Sequence, residues 1–227
     1  MPLKPSKGNM YDWVTHTHSH LGGKCPHDCV YCYVDNPRFG RHPKYQGKIR
    51  LIRHEFDVKY GAGKAIFVEN CNDMFAQNIP HFFILKILEH CNKFKDNVYV
   101  FQTKNPSRYL DYLNHLPPRS MLGTTIETNR DMTNVSTAPH PQERSKAMAK
   151  IFLRKFVTIE PVLDFDVNEF ASMIIQIRPS FVNIGADSKN HGLKEPTWEK
   201  IDALIKALSD AGIEIKEKHN LDRLKNK

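Results

Sequence analysis

The stretch Lys155-Phe156-Val157-Thr158-Ile159-Glu160, followed by a second apolar run over residues 181–185, decides the fold class of this 227-residue chain. Both runs are short and rich in Val, Ile, Phe and Thr, which is typical of buried strands. Between them, apolar residues recur on one face of a segment that begins after Asp166, a residue suited to cap a helix. A strand, a helix and a second strand in this order predict a right-handed unit with parallel strands.

The same alternation extends toward the amino terminus and gives six candidate strands. They cover residues 13–17, 65–69, 98–102, 121–126, 155–160 and 181–185. Helices are predicted after Pro80, over 106–115 and 141–150, after Asp166 and after Pro196. A closed barrel of eight such units needs about 250 residues, so six units predict an α/β fold of the partial (β/α)6 TIM-like barrel type, with a parallel sheet. A doubly wound sheet is the alternative.

Length and composition favour a single domain over residues 1–227, with a short last strand at 213–216 and a charged tail or final helix at 217–227. No run approaches the roughly 18 apolar residues that a membrane span needs. The first residues also lack the apolar core of a secretory signal. We therefore expect a cytoplasmic protein that does not enter a membrane.

The net charge of +8 is concentrated in a basic connecting segment, residues 36–64. Seven basic residues lie there between Asn36 and Tyr60, against two acidic ones. They are Arg38, Arg41, Lys44, Lys48, Arg50, Arg53 and Lys59. Interleaved aromatic residues, Phe39 among them, could stack on bases while the basic residues contact phosphates. A solvated basic connection explains the pattern equally well.

The most specific motif is Cys25-Pro26-His27-Asp28-Cys29-Val30-Tyr31-Cys32, a C-x3-C-x2-C run placed directly after the first candidate strand. Three thiolates on one short loop can bind three irons of a [4Fe-4S] cluster and leave the fourth iron open. The alternative is a zinc site that takes a fourth ligand from elsewhere in the chain, the candidates being His16, His18, His20, His27 and Cys71. Zinc motifs usually pair a C-x2-C with a second pair downstream. The sequence contains no second pair, so the spacing favours iron–sulfur.

Polar side chains follow the candidate strands, where the carboxyl ends of a parallel barrel meet and active sites are built. They are Asn70, Asn72 and Asp73 after the second strand, Lys104 after the third, Glu127 and Arg130 after the fourth, and Glu160 after the fifth. A cap or turn role is the alternative, above all for Asp73. Glu127 and Glu160 directly end apolar strands, where an unpaired carboxylate is costly. We therefore predict that Lys104, Arg130 or a ligand pairs with them.

Two further features have less specific interpretations. The alternation Thr15-His16-Thr17-His18-Ser19-His20 could bind a metal, although exposed histidines on a strand or loop are the favoured interpretation. Cys71 could donate hydrogen to a substrate radical or be a small buried hydrophobe. Cys91, inside an apolar helical pattern, is predicted to be a core residue.

The cysteine spacing, Tyr31 just before the third cysteine, and the six strand–helix units resemble the radical S-adenosylmethionine (SAM) superfamily. The segments Asn72-Asp73-Met74-Phe75, Thr103-Lys104-Asn105-Pro106, Thr125-Ile126-Glu127 and Ile159-Glu160-Pro161 are similar to a phage-associated radical-SAM-like branch of unassigned reaction. That branch resembles spore photoproduct lyases in outline. Where the superfamily usually has a glycine-rich segment, this chain has Glu69-Asn70-Cys71-Asn72.

The resemblance implies an enzyme with a [4Fe-4S] cluster and SAM as cofactors. Such an enzyme cleaves SAM reductively to a 5'-deoxyadenosyl radical, with a flavodoxin- or ferredoxin-type reductant as partner. It further implies that Asn72 and Asp73 face the SAM amino group, and that Tyr31 faces its adenine. Glu127 and Arg130 would face the ribose or carboxylate of SAM, with Lys104 and Glu160 in the same site. The basic segment makes a nucleic acid or nucleotide the favoured substrate. A non-catalytic, zinc-stabilised nucleic-acid-binding domain is the competing hypothesis.

Overall fold

A computed structural model describes residues 3–7, 10–35, 42–189 and 191–225. Ten strands are formed within them. In chain order they are β1 (Lys4–Pro5), β2 (His16–His18), β3 (Leu21–Gly22), β4 (Arg50–Leu51), β5 (Ala65–Val68), β6 (Val98–Thr103), β7 (Ser120–Thr125), β8 (Lys155–Ile159), β9 (Phe181–Ile184) and β10 (Glu214–Glu217). All six predicted strands and the short last strand are present, with bounds that differ from the sequence prediction by three residues or fewer.

The α-helices begin and end close to the predicted positions. They are α1 (His81–Asn92), α2 (Pro141–Ala149), α3 (Val167–Ile177), α4 (Trp198–Asp210) and α5 (Asp222–Lys225). Pro80 and Asp166 directly precede α1 and α3, as predicted. Gly212, just after α4, has a φ of 79°, a left-handed conformation that glycine adopts without steric cost. The charged tail contains a 3-10 turn (His219–Leu221) and α5, and Leu221 and Leu224 in it are buried.

One predicted helix differs in kind, because residues Pro106–His115 form a 3-10 helix. Its buried side chains, Pro106, Tyr109 and Tyr112, recur every three residues. A 3-10 helix has three residues per turn, so this spacing places all three side chains on one face. The spacing of the aromatic residues therefore explains the tighter helix.

Eight strands form one sheet in the order β1-β2-β5-β6-β7-β8-β9-β10. Pairs β2–β5, β5–β6, β8–β9 and β9–β10 are parallel, and β1 adds an antiparallel edge to β2. From β2 onward the strands of the sheet follow one another in chain order, as in a TIM-like barrel. A doubly wound sheet reverses its strand order part-way. The predicted partial TIM-like architecture is confirmed, and the sheet is open within the described residues.

The chain separates into two compact units. The first unit contains residues 1–27 and 32–122, and the second contains residues 28–31 and 123–227. In the first, Ile84, Ile87 and Leu88 of α1 are buried together with the central residues of β5 and β6. In the second, β8 and β9 are buried along their whole length, and α3 packs against α2 and α4. Among the described helices, none has the length and apolar character required to span a bilayer.

Candidate active site

The cysteine loop, residues 25–32, follows β2 and β3. Cys25, Cys29 and Cys32 are half-buried thiols that take part in no disulfide bond within the described residues. Cys25 and Cys32 belong to the first unit and Cys29 to the second. No three Cys, His, Asp or Glu side chains in residues 3–7, 10–35, 42–189 and 191–225 are grouped closely enough to bind a metal ion. The donors still fit an iron–sulfur cluster chemically, since three partly exposed thiols lie within eight residues.

His27, between the first two cysteines, is held by Asp73 in the first unit. The His27 Nε2 atom lies 2.7 Å from Asp73 Oδ2, which also accepts hydrogen bonds from the Thr103 hydroxyl and the Lys104 backbone N–H, each at 2.8 Å. Burial favours the neutral acid, but the interaction with His27 and these hydrogen bonds hold the pKa of Asp73 below its usual value. The carboxylate therefore anchors the cysteine loop to the ends of β5 and β6.

Asn72 supports the start of the same loop. Its Nδ2 donates to the Gly23 carbonyl at 3.0 Å, and its Oδ1 accepts the Asp73 backbone N–H at 2.9 Å. Asn72 and Asp73 are both buried, whereas the Lys104 side chain is half-buried. The structure thus brings together three predicted site residues of the first unit and gives two of them a role that the sequence did not predict.

Cys71 is buried beside tyrosine hydroxyl groups in the first unit. The Tyr33 hydroxyl donates to the Asn70 carbonyl and lies 3.7 Å from Cys71 Sγ. Burial is the largest effect on the Cys71 thiol and raises its pKa, whereas its contacts with Tyr45 and Tyr33 act in the opposite direction. Cys71 is therefore protonated at neutral pH and lies in the loop after β5.

Tyr31 is held in the second unit by Glu127. The Tyr31 hydroxyl donates to Glu127 Oε1, and Arg144 Nη1 donates to Glu127 Oε2 at 2.8 Å. Arg144 also donates to the Thr125 and Pro139 carbonyls. Burial and the charge of Glu127 raise the pKa of Tyr31, so its phenol remains the donor. Glu127 and Arg144 are 0% and 1% exposed, and Arg144 Nη2 has no hydrogen-bond partner among the described residues.

The structure gives the two strand-end glutamates partners that the sequence did not predict. Glu127 pairs with Arg144, and Glu160 pairs with Lys218, each at 2.8 Å. Glu160 also accepts a hydrogen bond from Asn220 at 3.0 Å.

Arg130 instead forms ion pairs with Asp164 and Asp166 in the loop before α3. Its side chain is 38% exposed, whereas Glu127 and Arg144 are buried. Arg130 and the two acidic residues lie in separate loops that meet in the fold. Their pairing therefore could not be predicted from the position of Arg130 after its strand.

The predicted exposure of the alternating histidines was also wrong. His18 and His20 are 8% and 0% exposed and form a histidine cluster with His90, packed edge to face against one another. His20 lies 2.9 Å from both Glu69 Oε1 and the Tyr60 hydroxyl. Burial lowers the pKa of His18 to about 4 and that of His20 to about 3, so both rings are neutral at pH 7. Their aromatic surroundings explain the burial, since neutral imidazoles pack as aromatic rings.

The described part of the basic segment uses two of its cations internally. Lys44 Nζ contacts Glu55 Oε1 at 2.6 Å, and the Arg50 guanidinium donates to the carbonyls of four residues, 43, 44, 46 and 48. Lys48, Arg53 and Lys59 are exposed. Arg38, Phe39 and Arg41 lie outside the described residues.

Comparisons with known proteins agree with the geometry. A family model described as "Protein of unknown function (DUF5131)" matches residues 11–201. The chain belongs to this family. No curated protein matches the sequence of this DUF5131 member.

Solved structures share the fold of this DUF5131 chain. A cysteine-to-serine mutant of spore photoproduct lyase has a TM-score of 0.65 at 12% identity, covering 92% of this chain and 78% of its own. A radical SAM methyltransferase from Sphaerobacter thermophilus has a TM-score of 0.54 at 14% identity, with coverage of 92% and 67%. A spore photoproduct lyase mutant with bound AdoMet and dinucleoside spore photoproduct has a TM-score of 0.54 at 12% identity, with coverage of 89% and 63%. The fold is therefore that of radical SAM proteins.

Proposed function

We propose that this chain is a radical SAM enzyme that binds a [4Fe-4S] cluster through Cys25, Cys29 and Cys32 and acts on a nucleic acid or nucleotide. When bound, the cluster would supply the electron that cleaves SAM reductively. A flavodoxin- or ferredoxin-type protein would deliver that electron. The chain's own residues would orient the thiols, bind SAM and keep water from the reacting groups.

The anchoring of the cysteine loop by two strand-end carboxylates carries this proposal. Asp73 holds His27 within the first unit, and Glu127 holds Tyr31 within the second. Both carboxylates follow strands of the sheet, and barrel enzymes build their active sites from residues in such positions, which supports the proposal. The shared fold and the presence of AdoMet in one structural neighbour support the same assignment.

The SAM contacts are part of the proposal. In the first unit, the Asn72 side chain donates to Gly23 and Lys104 directly follows β6; in the second unit, Tyr31 donates to Glu127. Arg130 and Glu160 first stabilise loops of the second unit through ion pairs. If Arg130 or Glu160 binds SAM, it must either leave its ion pair or contact SAM and its ion-pair partner at the same time.

The zinc-site hypothesis has less support. Of its five candidate fourth ligands, His20 is buried with both ring nitrogens in contact with Glu69 and Tyr60, and His27 already contacts Asp73 through Nε2. Anaerobic reconstitution decides between the metals. A cluster gives a brown protein with about four irons and four sulfides per chain, whereas a zinc protein is colourless.

Replacing Cys25, Cys29 or Cys32 with Ala should abolish the brown colour and the bound iron, since each thiolate binds one iron. Cys91→Ala is the matched control, because Cys91 is buried in α1. A colourless wild type after reconstitution, or a cluster that survives Cys29→Ala but not Cys91→Ala, would refute the assignment. Chemically reduced wild type with SAM should release 5'-deoxyadenosine, measured by chromatography.

The nucleic-acid proposal is supported by the exposed cations Lys48, Arg53 and Lys59 and by the dinucleoside in one structural neighbour. Each phosphate contact contributes about −0.7 to −0.9 to the slope of log affinity against log salt. The double variant Arg53→Glu, Lys59→Glu should flatten this slope. Arg50 is unsuited to the test, because its guanidinium holds the segment's own backbone. No binding of single- or double-stranded DNA or RNA at low salt would exclude this substrate class.

A further inference from the structure

Ser136 lies next to one of the proposed cluster ligands in the second unit. Its Oγ is 3.1 Å from Cys29 Sγ, and the side chain is only 6% exposed. A contact between a hydroxyl and a sulfur at this distance is a hydrogen bond in which either group could donate. The direction of that bond determines what Ser136 does to the sulfur.

The surroundings of Ser136 fix its orientation. Its backbone N–H donates to the Met132 carbonyl at 3.0 Å, which closes a turn over residues 132–136. Its hydroxyl oxygen accepts the Ala138 backbone N–H at 3.1 Å. A hydroxyl has one proton to donate. The Ala138 N–H fixes this hydroxyl oxygen beside Cys29 Sγ.

The segment that carries Cys29 is held against the same turn. The Val30 backbone N–H donates to the Val135 carbonyl at 3.0 Å, one residue from Ser136 on the turn and one residue from Cys29 on the loop. Tyr31 is fixed in turn by Glu127. Backbone hydrogen bonds therefore hold the segments that carry Cys29 and Ser136 next to each other, which keeps the sulfur and the hydroxyl in contact.

We propose that Ser136 is a positioning residue that donates a hydrogen bond to the Cys29 thiolate and raises the reduction potential of the cluster. This inference rests on the proposed function. A thiolate ligand has no proton, so Ser136 must be the donor once Cys29 binds iron. Reduction adds negative charge to the cluster and its sulfurs, and a hydrogen bond stabilises that charge. Hydrogen bonds to the sulfurs are among the features that set cluster potentials.

The test compares reconstituted wild type with Ser136→Ala, Ser136→Thr and Ser145→Ala in a redox titration followed by EPR. Ser136→Ala should reduce the ratio of reduced to oxidised cluster about tenfold at a fixed potential, which is a shift of about −59 mV for one electron. Ser136→Thr keeps the hydroxyl and should retain the wild-type potential. Ser145 is the matched control, because its buried hydroxyl donates to the Met173 carbonyl at 2.9 Å instead of to a cysteine.

A Ser136→Ala variant with full iron content and the wild-type potential would overturn the inference, as would a Ser136→Thr variant shifted as far as Ser136→Ala. If Ser136→Ala loses the cluster, the wild type supplies the test. Its iron–thiolate stretching bands in resonance Raman spectra should shift on exchange into D2O, and unshifted bands would refute the hydrogen bond. A wild type that assembles no cluster by iron and sulfide assay refutes the proposed function and this inference together.

Discussion

Two buried glutamates, one in each unit, compensate the loss of water in different ways. Glu69 directly follows β5 and is 2% exposed, and Glu127 lies just after β7 and is 0% exposed. Glu69 accepts hydrogen bonds from the His20 and Leu21 backbone N–H groups and contacts the neutral His20 ring. Glu127 is paired with a full positive charge on Arg144. One glutamate is thus stabilised by dipoles and the other by a cation.

The surroundings of Glu69 determine how it titrates. Burial raises the pKa of Glu69 to about 7, despite the hydrogen bonds that favour its ionised form. Glu127 instead shares its site with a buried guanidinium that cannot lose its proton. Stability around Glu69 in the first unit therefore depends on pH, whereas loss of either partner of the Glu127–Arg144 pair leaves a buried group without its counterion.

The largest expected effect is that of Glu127→Gln. The substitution leaves Arg144 as a buried charge without its counterion, and breaking a buried pair in this way costs roughly 3–5 kcal/mol. The free energy of unfolding, measured by urea denaturation at pH 7, should fall by that amount. Arg144→Met in the same background should recover part of the loss, because it removes the uncompensated charge. Additive losses in the double variant would contradict the pairing.

This pair also shows where sequence reasoning ends. The position of Glu127 at a strand end predicts that a buried carboxylate needs a partner there. Nothing in the sequence singles out Arg144, which lies 17 residues away in a helix with no clear apolar stripe. The same holds for Lys218, in a segment predicted only as a charged tail.

The periodicity of apolar residues and the helix-capping residues predicted the strands and helices well, because both are local features of the sequence. They could not predict Ser136, Tyr33 or the anchoring role of His27, since these contacts depend on how separate loops meet. The buried histidines were mispredicted for a similar reason. Alternation along residues 15–20 is a local signal, but burial of His20 depends on Tyr60 and His90 from other elements.

Acidification should have the next largest effect. His18, His20 and His90 have pKa values lowered by burial to about 4, 3 and 4, so the unfolded chain binds their protons first as the pH falls below about 6.5. The neutral histidines therefore cost no stability above about pH 6.5, and the free energy of unfolding falls as the pH drops from there toward 4. Glu69 acts oppositely, because its raised pKa makes the folded state bind its proton first between about 7 and 4.5.

Three histidines outweigh one glutamate, so we expect a net loss of about 3 kcal/mol in the free energy of unfolding between pH 7 and pH 5. Urea denaturation across this range measures it. His90→Gln should reduce the slope of stability against pH by up to the contribution of one proton. A flat pH profile for the wild type would contradict the neutral histidine cluster.

Glu69→Gln should cost less than the same change at Glu127. An amide keeps one acceptor oxygen, but its NH2 group cannot accept the Leu21 N–H that Glu69 Oε2 now accepts at 3.1 Å. One unsatisfied buried donor costs about 2 kcal/mol, measured by denaturation at pH 8, above the raised pKa of Glu69. If Glu69→Gln lowers the free energy of unfolding as much as Glu127→Gln or more, the expectation that losing the partner of a buried cation costs more than losing hydrogen bonds from N–H groups is wrong.

The smallest effect is expected where both partners are exposed. Lys206 and Asp210 on α4 form an ion pair at 3.0 Å, with side chains 75% and 66% exposed. Lys206→Ala should change the free energy of unfolding by less than about 0.5 kcal/mol, because water and salt screen such pairs. A larger loss in the same denaturation assay would contradict the expectation that the cost of removing a charged partner increases with its burial.

Gly185, directly after β9, lies so close to the Glu160 carboxylate that the identities of the two residues should be linked within the family. A Cβ atom at Gly185 would lie 2.9 Å from the Glu160 carboxylate and 2.9 Å from Asn220 Oδ1. Any larger residue at 185 must therefore displace both side chains, and with them the Lys218 partner of Glu160. Positions 160 and 185 lie within the residues that the family model matches, so we expect them to be inherited together. Members that have lost the glycine should have lost the glutamate as well, which an alignment of the family would show.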